Sequence, residues 1–301
     1  MLRNNAIATP SGLYLTIKRR RRHRSGIEAW PAQTVLIVFL VFSTLLVILP
    51  VLVTVMLSLK PNADFVTQNI WALPTSLAFK NYTYAFNEIL GNMFNTLWID
   101  VVSTVSVTLL STYTAYIFVR KKFPGRNVLF YCIIIPTMCP GIVYLTAQYL
   151  NIVNMGLFGT YWALYFPYLA GNQIGSIFLY RTFMAQQPED IYDAARIDGA
   201  GDFRMFFKIC LPLSVGIIMV QSIGIFSAIY NDYLWPMMMF VGKPERATLM
   251  PVLQELANRA GTEAKGAGYA LYLLSGIPLI IATSVSLKFS ISGEFAAGLK
   301  Y

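Results

Sequence analysis

Six apolar stretches, each long enough to cross a bilayer, constrain this chain more than any other feature. Residues 35–59 run for 25 positions without a charge and are interrupted only by Pro50. A spanning helix needs about 20 such residues. Residues 94–119, 128–150, 160–180, 213–235 and 269–287 follow the same pattern, with Asp100 and Asp232 near their ends. Pro136, Pro140, Pro167 and Pro278 lie inside them. Neighbouring helices can re-satisfy the carbonyls that a proline frees, so these residues do not exclude spans. Charged residues make up 12% of the chain and hydrophobic ones 56%. Soluble domains carry about 25% charged residues, so this composition argues against a soluble globular domain and against disorder. The fold class expected is an all-α membrane protein with six transmembrane helices.

The charges orient these spans. With the N-terminus inside, the inner segments 1–34, 120–127, 181–212 and 288–301 hold seven, four, four and two Lys or Arg. The outer segments hold six of the 23. Basic residues are retained on the cytoplasmic side, so the pattern predicts N-in and C-in. The net charge of +9 is thereby assigned to inside loops beside lipid, with no nucleic-acid partner implied. The basic run at 18–24 has two readings: a topology determinant before the first span, or a surface for anionic lipid or nucleic acid. The apolar stretch after it is too long for a signal-peptide core, and no small-x-small cleavage site follows, so a retained anchor is expected. The expected domains are a basic tail at 1–32 and a transmembrane domain at 33–301.

Several chemistries are missing. The single His23 and three Cys rule out an ordinary His/Cys metal cluster and a disulfide scaffold. No Gly-x-x-x-x-Gly-Lys-Ser/Thr phosphate loop, HExxH or GxSxG occurs.

The most ordered polar segment is the loop at about 185–212, between the fourth and fifth spans. Pro188 suits a helix start, and Glu189 and Asp190 suit its positive first turn. Ile191, Ala194, Ala195 and Asp198 are spaced to share one helical face, and Gly199 is a natural stop. Asp202 can cap a second short helix carrying Phe203, Phe206 and Phe207. Two short helices joined at Gly199 are therefore predicted, with small residues that let another protein approach closely. A helix resting on lipid would carry more Lys, Arg and large apolar residues.

These residues resemble the inner-membrane permeases of ABC importers. That family carries Glu-Ala-Ala, three residues, Gly, nine residues, then Ile-x-Leu-Pro. Asp193-Ala194-Ala195, Gly199, Ile209, Leu211 and Pro212 fall at that spacing, with Asp193 in place of Glu. Further segments are similar to the carbohydrate branch, the type of the maltose permeases: Ser58-Leu59-Lys60-Pro61, Asn81-Tyr82, Phe123-Pro124-Gly125-Arg126 and Tyr230-Asn231-Asp232-Tyr233-Leu234-Trp235-Pro236. Gly298-Leu299 is similar to the start of its C-terminal motif.

The resemblance implies a type I importer permease fold with a cytoplasmic coupling helix in a multi-pass protein of the bacterial inner (plasma) membrane. It also implies transport by alternating access with no catalytic residue of its own. The implied partners are a second homologous permease, two ABC ATPases, an extracytoplasmic solute-binding protein and a sugar or oligosaccharide. No cofactor is implied in this chain; ATP and Mg would sit on the ATPases. Pro188, Ile191, Asp193, Ala194, Ala195, Asp198, Gly199, Ile209, Leu211 and Pro212 are the expected ATPase-coupling residues.

Tyr230, Asn231, Asp232 and Trp235 keep two readings. Aromatic faces with amides and carboxylates suit a sugar path, while the same residues suit helix caps and an interfacial aromatic belt. Asp100 likewise reads as an outer-interface acid or as a proton relay. Besides an ABC permease for a non-sugar solute, two other functions stay open at this stage: an ion-coupled secondary transporter, or a membrane-embedded enzyme. The former calls for repeats or midplane acids and the latter for clustered acids at a membrane face.

Overall fold

The computed structural model describes residues 30–298, which form helices and no strand. The basic run at 18–24 and the end of the tail motif at 299 lie outside the described residues. Eleven helices are the main elements: α1 Trp30–Ser58, α2 Lys80–Arg120, α3 Arg126–Ile134, α4 Gly141–Asn154, α5 Trp162–Met184, α6 Glu189–Ile197, α7 Asp202–Met205, α8 Val215–Tyr230, α9 Leu234–Met239, α10 Leu249–Glu263 and α11 Lys265–Gly298.

The chain divides into two compact units, Met1–Leu52 and Val53–Tyr301. In the first, nearly every described side chain is exposed and apolar, from Val35 to Leu52. A surface of this kind is stable only against lipid or another apolar face.

In the second unit α2, α5, α8, α10 and α11 pack around shared apolar clusters. α10 is amphipathic: Leu249, Val252, Leu253, Ala257 and Ala260 are buried, while Glu255, Asn258 and Arg259 are exposed. Its start is held by polar residues of α2. Thr96 accepts the Leu249 N–H at 2.7 Å, and Asn95 Nδ2 donates to the Glu245 carbonyl at 2.9 Å.

Among the described residues, Gln33–Ser58, Lys80–Arg120 and Lys265–Ser290 are long and apolar enough to cross a membrane. Two bent pairs bring the number to at most five if each counts as one broken span: Arg126–Met138 with Gly141–Asn154, at 102°, and Asp202–Leu213 with Val215–Tyr230, at 80°. The expected third span at 128–150 is thus broken. The bend falls at Pro140, which has no N–H to donate and disfavours helical backbone at the residue before it; Cys139 is extended, with φ −96° and ψ 126°. The expected fifth span ends at Tyr230 rather than 235. The second begins at Lys80 rather than 94. α5, the expected fourth span, has 23 residues but is less apolar, because it carries the Asn172-Gln173 pair and several tyrosines.

Two of the family-like segments meet in space. Asn81 Nδ2 donates to the Ser58 carbonyl at 2.8 Å and to the Lys60 carbonyl at 3.0 Å, and the Ser58 and Tyr82 hydroxyls lie 2.6 Å apart. Gly266 of α11 closes this corner. A Cβ there would overlap Asn81 Nδ2 and lie 2.6 Å from the Lys60 carbonyl oxygen. Neither group can retreat without losing those bonds. Gly266→Ala is therefore expected to destabilise the protein by about 1–3 kcal/mol, the usual cost of overpacking. The melting temperature in detergent would show it, and an unchanged value would exclude this close approach.

Candidate functional site

α6 forms where the local chemistry asks for it. Pro188, with φ −57° and ψ 129°, is the residue that caps it rather than its first helical residue. Glu189 and Asp190 fill the first turn and Arg196 the last, in the sense that the helix dipole favours. The stop is a paired hydrogen-bond motif. The Ala200 N–H donates to Ala195 O at 2.9 Å and the Gly199 N–H to Arg196 O at 3.1 Å. Gly199 has φ +73°, a left-handed conformation that glycine adopts without penalty.

The second short helix differs from expectation. Gly201 occupies the cap position of α7, and no side chain caps it. Asp202 lies inside the helix and pairs with Lys121 Nζ at 2.7 Å. The helix then widens to a π-helical turn, Phe206–Cys210, followed by Leu211–Leu213. Pro212 has no N–H to donate and α8 leaves at a sharp angle, so the chain turns here.

The underside of α6 is built on one buried ring. Tyr192 is fully buried among Ala115, Tyr116, Tyr180, Met184, Met205, Phe206 and Cys210. Its hydroxyl donates to Gln187 Oε1 at 2.5 Å, and Gln187 Nε2 donates to Ser214 Oγ at 2.9 Å. Arg120, the last residue of α2, lies across the Tyr192 ring with its guanidinium carbon 3.8 Å from the centroid. Its side chain is 4% exposed and pairs with the Glu189 carboxylate. Its Nη2 also donates to Met184 O at 3.1 Å and Gln187 O at 3.3 Å. Burial works against the Glu189 carboxylate, but the hydrogen bond from Arg196 and the charge of Arg120 outweigh it and hold the carboxyl below its ordinary value. The partnership with Glu189 in turn pushes Arg196 up, and burial pushes the Tyr192 phenol up.

The outer side of α6 is open. Ile191, Asp193, Ala194, Asp198 and Gly199 are exposed, whereas Ala195 turns partly into the cluster below and leaves the face it was expected to share. Ile197 is 86% exposed, and Phe203 and Phe207 of the following turns are also exposed. Ile209 and Leu211 are half-buried and Pro212 is exposed. Nothing in the motif pointed to Arg120, Gln187 or Tyr192. The one available hint was that Tyr192 sits where the small residues do not.

The second group of candidate residues is mostly engaged in packing. Tyr230 is buried and donates to Ser275 O at 2.6 Å. Trp235 is buried and donates from Nε1 to Ala163 O at 2.9 Å. Asp232 accepts from the Tyr168 hydroxyl at 2.8 Å and from the Trp235 N–H at 3.3 Å. Asn231 alone of the four is exposed, with Nδ2 on Ser227 O at 2.8 Å. Asp100 is fully buried in α2 and accepts from Thr104 Oγ1 at 3.2 Å. Among the described residues no group of three His, Cys, Asp or Glu could hold a metal ion.

Known proteins match along most of the chain. The diacetylchitobiose uptake system permease protein NgcG of Streptomyces coelicolor is 26% identical over 86% of each chain. Two Bacillus subtilis permeases are each 28% identical. The arabinooligosaccharides transport system protein AraQ matches over 88% of this chain and 95% of its own. The maltodextrin protein MdxG matches over 87% and 94%. A solved bacterial ABC transporter that imports the acidic polysaccharide alginate has a chain of the same fold, with TM-score 0.74 at 21% identity over 85% of this chain and 95% of that one. Residues 107–292, which contain the whole α6 loop, match the family described as the binding-protein-dependent transport system inner membrane component. An all-helical fold with several membrane-length helices fits that match, and the chain belongs to this family of inner-membrane transport permeases.

Proposed function

We propose that this chain is the permease subunit of an ATP-driven importer that takes a sugar or oligosaccharide from an extracytoplasmic binding protein and moves it inward by alternating access. The observation that carries the solute class is the set of relatives that match over 86–88% of this chain and whose names specify diacetylchitobiose, arabinooligosaccharides and maltodextrin. A second homologous permease completes the membrane part, and two ABC ATPases bind ATP and Mg outside this chain.

α6 is the coupling element in this reading, on the cytoplasmic side. Its open face of Ile191, Asp193, Ala194, Asp198 and Gly199, with Pro188 before it, enters a groove on an ATPase. Ala195 and Ile209, Leu211 and Pro212 shape the return into α8. Closure of the ATPases moves α6 because ATP binds one arrangement of them more tightly than the other, and only such a difference can shift two states. In the solute path Asn231 is the exposed side chain that meets hydroxyls. Tyr230, Asp232 and Trp235 form the wall beside it.

The test is reconstitution with a candidate ATPase, partner permease and binding protein in vesicles. ATP-dependent uptake of labelled oligosaccharide is expected. Uptake by this chain alone on an ion gradient, without ATP, would overturn the proposal.

A further inference from the structure

We propose that Arg120 is the positioning residue that locks α6 to the end of α2, so that displacement of α6 is delivered to α2 as well as to the helices joined to it by chain. The inference rests on the reading of α6 as the helix an ATPase grips. Its basis is the set of partners that one side chain gathers. Arg120 lies 69 residues from Glu189 and meets it through the carboxylate. It also takes the carbonyls of Met184, the last residue of α5, and of Gln187, in the turn beyond it, and stacks on Tyr192 of α6.

The position suits a cation twice over. The carbonyls at the end of α5 carry the negative end of that helix, and from the backbone Met184 O accepts only a long turn bond from the Gln187 N–H, at 3.3 Å. Glu189, in the first turn of α6, supplies a full negative charge. A planar guanidinium can serve carbonyls, a carboxylate and an aromatic face together, whereas an ammonium cannot.

The alternative routes out of α6 are softer. Toward α5 the chain passes through the non-helical residues 185–188, and toward α8 through Gly199, Gly201 and a π-helical turn. The other ion pair reaching α2's end, Lys121 with Asp202, is about half exposed on both sides and contributes little. α2, by contrast, is a single 41-residue helix in contact with α5, α8, α10 and α11. A push delivered at Arg120 therefore reaches most of the bundle.

The experiment uses the assembled transporter in vesicles and measures solute moved per ATP hydrolysed. In Arg120→Ala this ratio is expected to fall at least about fivefold, the low end for coupling between distant sites. Arg120→Lys keeps the charge and loses the fork, and its ratio should fall between those of the alanine variant and the wild type. Nitroxides at the exposed positions Lys122 and Asp190 give a second readout: one narrow distance distribution in the wild type and a broadened one in Arg120→Ala. A merely stabilising residue would lower yield or melting temperature and leave the ratio intact. A wild-type ratio in Arg120→Ala overturns the proposal. Should that variant not assemble, a wild-type ratio in Arg120→Lys does the same. Failure of the docking reading is visible separately, as ATPase co-purification that Gly199→Glu leaves unchanged.

Discussion

Gly199→Glu is expected to strip the ATPase from the purified complex and to lower transport at least about tenfold, while membrane insertion stays intact. The reason is local. Gly199 holds φ +73° at the end of α6, and an L-residue in that conformation costs about 1–2 kcal/mol. No atom lies within 4 Å of the position a Cβ would take, so the cost is backbone strain and not a clash. A side chain there also projects a fifth carboxylate onto a surface that already carries Glu189, Asp190, Asp193 and Asp198. About 1.4 kcal/mol lost from docking is a factor of ten in affinity. Gly199→Asn separates the two effects, because Asn tolerates the left-handed region and adds no charge. It should retain much of the transport. Co-purification of the ATPase with Gly199→Glu at wild-type yield, with full transport, would remove α6 from the coupling role.

Tyr192→Ala should cost the folded protein about 3–5 kcal/mol, the range for truncating a buried aromatic ring. The loss has three parts. The cluster under α6 loses its central side chain, the Arg120 guanidinium loses the ring it stacks on, and Gln187 loses the hydroxyl proton it accepts. Thermal unfolding in detergent would report the total. Amide exchange should rise most in 189–197, because that helix has few other apolar anchors. Tyr192→Phe removes the hydroxyl alone and should cost only about 0.5–1.5 kcal/mol. If the alanine variant melted like the wild type, α6 would not depend on this ring.

These two residues also mark how far the sequence could be read. Gly199 was legible because a helix stop is written in a few consecutive residues, and the spacing around it named the family. Tyr192, seven residues earlier, was not singled out, because its role comes from Arg120 and Gln187 on other elements. The expected cap at Asp202 failed for a similar reason: Lys121, 81 residues before it in the chain, offers that carboxylate a partner, and Gly201 takes the cap. Ala195 left its expected face because it lies three residues after Tyr192, on the side of α6 that faces the cluster below.

Membrane-length apolar runs, the missing phosphate loop, the helix start at Pro188 and its stop at Gly199 follow from residues close together in the chain, so the amino-acid order alone determined them. The bend at Cys139 and Pro140, the corner where Gly266 meets Asn81 and Lys60, and the grip of Arg120 on α6 were decided only by the tertiary structure. The last two depend on which groups meet across tens to hundreds of residues. The first depends on whether a proline is accommodated as a kink or allowed to break the helix, and neighbouring helices settle that choice.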